Sequence, residues 1–300
     1  EKQLQAIKIV DPACGSGAFL ITALRTLFAE WYMVRDTRRE VTGKGYKRER
    51  DELIRDILRE NIYGVDINPA SVEIAKLALW LHTASSDKPL SSLDHHIREG
   101  NSLVGSDFFN DLDATPNAEQ VERINPFDWE ETFPEVFERG GFDIVIGNPP
   151  YVKLQNFRAV YPDVAAFLKE DRAGNRTYES TQTGNFDLYL PFIEKGIRLL
   201  NDDGRMGYIA PNLWPMNEYG EGLRDFIMKG KHLEGWIDFQ SHQIFEEATI
   251  YTALQFFTKA PNEAVHVALA PTGEVPAEPF ASNEARLPYG KLAFRDRWLL

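Results

Sequence analysis

The sequence is 300 residues long, 43% hydrophobic and 26% charged, with a net charge of −13. Such a chain can bury an ample core in one large or two modest domains. No apolar run approaches the ~20 residues of a membrane span, and a single cysteine, Cys14, excludes a disulfide framework and fits a reducing (prokaryotic) cytoplasm.

No secretory leader is visible in the opening Glu1-Lys2-Gln3, and the lack of an initial Met suggests a piece of something longer. The negative total weighs against tight DNA binding by the whole surface, since phosphate contact needs Lys and Arg. The charges are uneven, however. Residues 106–143 hold eleven acids against Arg123 and Arg139, whereas residues 35–50 hold Arg35, Arg38, Arg39, Lys44, Lys47, Arg48 and Arg50 against three acids. Either run alone reads first as a solvated face, yet contact with DNA through one face stays open.

Residues 7–10 read as a short strand ending in Asp11-Pro12-Ala13-Cys14-Gly15-Ser16-Gly17. Residues 18–34 follow as a helix, with Phe19, Leu20, Ala23, Leu24, Leu27, Phe28 and Trp31 at helical spacing. A basic loop leads to a helix over 51–60 and a strand over 62–66, and Pro69 opens a helix to about residue 82. A short strand near 96–99 runs into Gly100-Asn101-Ser102-Leu103. Residues 106–140 have weak periodicity and read as an acidic insertion or long connection. Residues 142–147 are an apolar strand of the kind buried in a parallel sheet, and it ends in Asn148-Pro149-Pro150-Tyr151. Residues 152–184 read as a long loop, a length that is usually functional or mobile. A helix over 186–200, a turn at Asp202-Asp203-Gly204, a strand over 205–210, a helix around 223–228 and strands over 233–239 and 250–257 complete the pattern. From Ala260 onward prolines recur and the pattern fades. The strand–helix alternation predicts a doubly wound α/β sheet.

Chemistry in such sheets gathers at the carboxyl ends of the strands. The turn at Gly15 and Gly17 presents backbone amides and a helix N-terminus to a ligand, but its spacing is not that of the dinucleotide enzymes. Asp11 suits an amine-bearing ligand better than a pyrophosphate. Asp66, at the next strand end, can take both hydroxyls of a ribose, Ile67 can cover a purine face, and Asn101 can meet its amino edge. Singly, Asp66 could be a helix cap before Pro69 and Asn101 a turn residue. Three polar residues at successive strand ends together point to a nucleoside with an amino-acid tail, which describes S-adenosylmethionine. At the fourth strand end two prolines fix φ and donate no amide hydrogens, so the Asn148 side chain, the Pro149 carbonyl and the Tyr151 ring are held in a set arrangement.

These stretches resemble the N6-adenine DNA methyltransferases of the gamma motif order. Residues 11–20 resemble their first motif, Tyr63-Gly64-Val65-Asp66-Ile67-Asn68 the second, Gly100-Asn101-Ser102-Leu103 the third, and Asn148-Pro149-Pro150-Tyr151 the catalytic motif residue for residue. Residues 185–200, 204–212 and 239–257 resemble the later motifs, so the likeness covers roughly residues 5–258. It implies a class I S-adenosylmethionine-dependent methyltransferase fold: a mostly parallel seven-stranded sheet with an antiparallel edge strand. It also implies a catalytic domain over residues 1–260, with 261–300 a linker or the start of a target-recognition domain. Asp11, Pro12, Ala13, Cys14, Gly15, Gly17, Asp66, Ile67, Asn101, Ser102, Leu103, Asn148 and Phe192 would line the cofactor site, the product being S-adenosylhomocysteine. Tyr151 and Phe245 would hold the flipped base, although Phe192 and Phe245 also read as core aromatics. Two departures stand out. Almost nothing precedes the first strand, where the family has a further motif, and few residues remain for target recognition.

The expected activity is methyl transfer to N6 of an adenine extruded from double-stranded DNA, within a type IIG-like restriction-modification or related phage-defence system. Asn148, Pro149, Pro150 and Tyr151 would be the catalytic group, and a target-recognition domain or subunit would lie outside this piece. No metal is needed, and His95-His96 lacks the partners of a metal site. The rivals are a protein glutamine methyltransferase, an RNA-base methyltransferase and an inactive DNA-binding module. The first of these usually carries a different first motif and lacks so long a segment between Tyr151 and Asn185.

Overall fold

The computed structural model of the chain describes residues 2–43, 50–82, 93–110, 116–245, 250–281, 286–292, 297, 298 and 300. Lys44, Lys47 and Arg48 of the basic run, and 111–115 of the acidic region, lie outside the described residues.

The amino-terminal half runs α1 (Lys2–Ala6), β1 (Ile9–Asp11), α2 (Ala18–Thr42), α3 (Arg50–Glu60), β2 (Ile62–Asp66), α4 (Pro69–Leu81) and β3 (Ile97–Glu99). Then come α5 (Ala118–Ile124), α6 (Trp129–Thr132), α7 (Pro134–Phe137) and β4 (Phe142–Gly147). Beyond the proline pair lie α8 (Leu154–Val160), α9 (Pro162–Phe167), α10 (Tyr189–Leu199), β5 (Leu200–Pro211) and α11 (Glu221–Gly230). The last strands are β6 (Leu233–Asp238), β7 (Thr252–Thr258), β8 (Ala264–Leu269) and β9 (Arg286–Pro288).

The strands form one sheet in the order β3-β2-β1-β4-β5-β7-β6-β8-β9. Neighbours from β3 to β5 are parallel, β7 runs antiparallel between β5 and β6, and β9 is an antiparallel edge. The strand order reverses beside β1, where doubly wound sheets open a crevice for ligands. Among the described residues the sheet has nine strands rather than the expected seven. The two additions are β8, parallel to β6, and β9. β8 pairs with β6 past the intervening β7, which a reading of local pattern does not register.

The sheet is buried on both faces, which explains its near-continuous apolar strands. Leu20, Leu24, Ile57, Val72 and Leu79 fill one side from α2, α3 and α4. Phe133, Phe142, Phe186, Tyr189 and Ile193 fill the other. Each such side chain contributes about 1.5–3 kcal/mol on burial.

Four segments differ from expectation. Helix α2 runs on to Thr42, so the basic stretch expected as a loop is helix up to that point. The acidic connection buries Phe108, Phe127, Trp129 and Phe133 among its charges, and the Trp129 ring meets Phe142 edge-on at 6.0 Å. The expected turn at 202–204 lies inside β5, where the register against β4 slips between Phe142 and Ile144. The long loop after Tyr151 contains α8 and α9. No helix among the described residues is long and apolar enough to cross a membrane.

Candidate functional site

The first strand tip is built around a buried acid. Asp11 is 1% exposed, and its Oδ1 accepts from the Ala13 N–H at 3.0 Å. Burial pushes its carboxyl up to about 7 and the neighbouring Asp66 charge adds to this, while the Ala13 hydrogen bond opposes it. The proton is therefore held more tightly in the folded state than in the unfolded one. The stability contributed by this group is present in acid and is lost as pH rises through about 7, by roughly 4 kcal/mol at ~1.4 kcal/mol per pH unit. Asp11→Asn should remove that dependence. Between about pH 5 and about pH 8 the melting temperature of the variant should gain on that of the parent, and parallel profiles would contradict this account of Asp11.

Cys14 follows the acid, but its thiol faces the core beside Leu20 and Gly64, and burial pushes its pKa up. Only the Cys14 backbone belongs to the turn. Gly17 caps α2 at φ +84, a left-handed conformation few side chains adopt, and a Cβ there would sit 3.1 Å from that of Ala75. Above Gly15 the space is open, with nothing within 4 Å of an added Cβ.

The second tip resolves an ambiguity of the sequence. Helix α4 is capped by Asn68, whose Oδ1 accepts from Ala70 N–H at 2.9 Å, with Pro69 in the first turn. Asp66 is thus not the cap. Its Oδ2 accepts from Gly15 N–H at 2.8 Å and its Oδ1 from Asn68 N–H at 2.9 Å. A carboxylate offers about four lone-pair sites, so acceptor capacity remains for a ligand.

At the third tip Asn101 is a turn residue as well as a cavity residue. Its Oδ1 accepts from Leu103 N–H at 3.2 Å and its Nδ2 donates to the Ile124 carbonyl at 3.4 Å. Ser102 Oγ donates to the Pro12 carbonyl at 2.6 Å, tying this tip to the first. Trp129 Nε1 donates to the Ser102 carbonyl at 3.0 Å, so the acidic segment braces the site from behind.

The fourth tip carries the proline pair. Pro149 is buried, and Asn148 and Tyr151 are half-buried. The Tyr151 hydroxyl donates to the Ile209 carbonyl at 2.9 Å and also reaches Asn148 Oδ1. Its ring meets Tyr189 edge-on at 6.2 Å. The Asn148 amide is therefore tethered through Tyr151 to β5. Phe245 packs half-buried on the cluster of Ile209, Ile237, Phe239 and Ala270.

A cavity of about 460 Å³ joins the four tips. Pro12, Ala13, Asp66, Ile67, Asn101, Ser102, Leu103, Asn148, Pro150 and Phe192 all border it. Asp11, Cys14, Gly15, Gly17, Pro149, Tyr151 and Phe245 do not. Phe192 is at once a core residue, 8% exposed, and a wall of the cavity. The sequence reading missed Phe157, Val160, Tyr161, Val164 and Leu168, which also border it. Their spacing is the apolar stripe of a helix, but Pro162 interrupts it and polar neighbours dilute it.

Residues 60–245 match the Eco57I restriction-modification methylase family. The chain belongs to that family. Residues 3–88, around the first two tips, also match the family described as RMKL-like, methyltransferase domain. Over 266 residues this family member is 33% identical to the type II restriction enzyme and methyltransferase RM.Eco57I of Escherichia coli, covering 84% of this chain and 24% of the relative. It is 27% identical over 246 residues to the adenine-specific methyltransferase PglX of Streptomyces coelicolor, covering 73% of this chain and 18% of PglX. Its fold resembles that of the type IIL restriction-modification enzyme MmeI, solved in complex with DNA, at a TM-score of 0.58 and 19% identity over 90% of this chain and 33% of MmeI. The chain therefore spans about a quarter of the first relative's length and under a fifth of the second's.

Proposed function

We propose that this chain is the catalytic part of a DNA methyltransferase that acts on N6 of an adenine turned out of the duplex, with S-adenosylmethionine as donor, in a restriction-modification or phage-defence setting. One observation carries the reading: Asp66, Asn101 and Asn148, from three different strand tips, open into one cavity.

The residues fit the donor. Asp66 keeps acceptor sites for ribose hydroxyls, the space above Gly15 is open, and the walls are largely apolar. Asp11 is a buried carboxylate with no cation among the charges that shift it, and an ammonium group nearby would offset the cost of its ionisation. When bound, S-adenosylmethionine supplies an electrophilic methyl group.

The chain's own part is positioning. Extruding the base costs a few kcal/mol, and stacking on Tyr151, with Phe245 on the other face, returns ~1–3 kcal/mol. The lone pair of adenine N6 is delocalised into the ring, which makes it a weak nucleophile. The Asn148 side-chain oxygen and the Pro149 carbonyl can accept its two hydrogens out of the ring plane. That favours a pyramidal nitrogen and stabilises the positive charge that develops there. In-line transfer then needs orientation more than a strong base. Choice of target sequence is assigned to a recognition domain or subunit outside these residues.

Incubation of the protein with tritiated donor and duplex DNA, RNA or a release factor tests the reading. Label should enter the DNA and be recovered as N6-methyladenine after digestion to nucleosides. Label confined to RNA or to the release factor would overturn it.

A further inference from the structure

One wall of the cavity comes from outside the strand tips. From α8, α9 and the residues that end them, Phe157, Val160, Tyr161, Val164 and Leu168 line it together with Ile67. Val160 is 62% exposed and Ile67 50% exposed, so two large apolar side chains stand uncovered at the same cavity. The Phe157 and Tyr161 rings lie 5.4 Å apart at 34° and form one continuous aromatic surface.

The wall is fixed at both ends. Before α8, Leu154 N–H donates to the Phe186 carbonyl at 3.0 Å and Leu188 N–H donates to the Val152 carbonyl at 2.9 Å. After α9, Thr181 Oγ1 donates to the Leu168 carbonyl at 2.6 Å and Gln182 Nε2 to the Lys169 carbonyl at 2.8 Å. The short helix at 179–181 is pinned in turn to α10, because the fully buried Glu194 carboxylate accepts from Glu179 N–H at 3.1 Å and Ser180 N–H at 2.8 Å. A preformed apolar wall opposite a few polar groups is how small-molecule sites bury a flat ring.

We infer that α8 and α9 form an apolar wall of the nucleoside pocket, with Phe157, Val160 and Tyr161 covering a face of the cofactor's adenine. This rests on the reading of the cavity as the S-adenosylmethionine site. The ring is the part of that molecule that gains from apolar contact on both faces, while its ribose has Asp66 and its charged tail needs polar partners. Because Val152 follows Tyr151 directly, the wall that grips the adenine is also the continuation of the catalytic motif.

Titration calorimetry with S-adenosylhomocysteine and with 5′-methylthioadenosine, which lacks the amino-acid tail, tests the inference. Phe157→Ala should weaken both compounds by the same factor, about 10- to 100-fold, as expected for loss of stacking on one face of a base. Val160→Asp changes an exposed position and guards against a folding defect at Phe157; it should weaken both compounds in parallel as well. Affinities within about twofold of the parent in both variants, or weakening of S-adenosylhomocysteine alone, would overturn the adenine assignment. A parent protein that bound neither compound would overturn the cofactor reading itself, and this inference with it.

Discussion

Asn148→Ala is expected to lower methyl transfer by on the order of 10²- to 10³-fold, the usual loss when one preorganised partner of a developing charge is removed. Affinity for S-adenosylhomocysteine should fall by no more than about 10-fold, the limit set by one neutral hydrogen bond. The split follows from the geometry. Pro149 and Pro150 fix the backbone on the far side of the substitution, and Ile209 still holds the Tyr151 hydroxyl at 2.9 Å. The alanine therefore deletes an acceptor without releasing the loop. Asp66 and Asn101 lie on other strands, with hydrogen bonds that do not involve Asn148. Single-turnover transfer to duplex DNA, measured beside calorimetry of the product, separates the two effects. A transfer rate equal to the parent's would remove Asn148 from the reaction, and equal losses in rate and affinity would make it a cofactor residue alone.

The four strand tips were legible in the sequence because each is a local event. An apolar strand stops at Asp11, Asp66, Asn101 or Asn148, and a Gly turn, a proline or a helix start follows within a few residues. What escaped depends on contacts between distant segments. Phe127, Trp129 and Phe133 stand among acids that suggest a solvated face, and only the fold turns their rings together towards Phe142. Helices α8 and α9 are 7 and 6 residues long, too short to be stable alone, and they exist because Val164, Phe167 and Leu168 find a core to enter. Strand β8 lies among recurring prolines and gains its meaning only from pairing with β6. Trp298, nearly at the carboxyl end, packs its ring on Trp214 at 5.7 Å, a contact that no local pattern announces. Local chemistry therefore revealed the strand-tip lining of the cavity, and tertiary packing supplied the lining from α8 and α9.

Gly147→Ala should damage cofactor affinity and transfer together, because this glycine is where the first and fourth strand tips touch. An added Cβ would lie 2.6 Å from Asp11 Oδ1 and 3.1 Å from its Cγ. Asp11 cannot swing away cheaply, since it is buried and gives up the Ala13 N–H if it turns. The glycine cannot retreat either, as β4 is paired on both sides, with Val10 opposite Val145 and Tyr208 opposite Gly147. Overpacking of this kind costs about 1–3 kcal/mol, and relief of the clash must displace either the acid behind the cofactor turn or the residue that leads into Asn148. A double-mutant cycle isolates the cause. In an Asp11→Ala background the carboxylate is gone, so Gly147→Ala should lose its steric cost there and keep only the cost of its backbone at φ +159. Contacting sites usually show couplings of about 0.5–3 kcal/mol. If the substitution lowered the melting temperature by the same amount in both backgrounds, the close approach of β1 and β4 would not be what demands a glycine. A coupling within that range would show that the contact between Gly147 and Asp11 sets the spacing of β1 and β4.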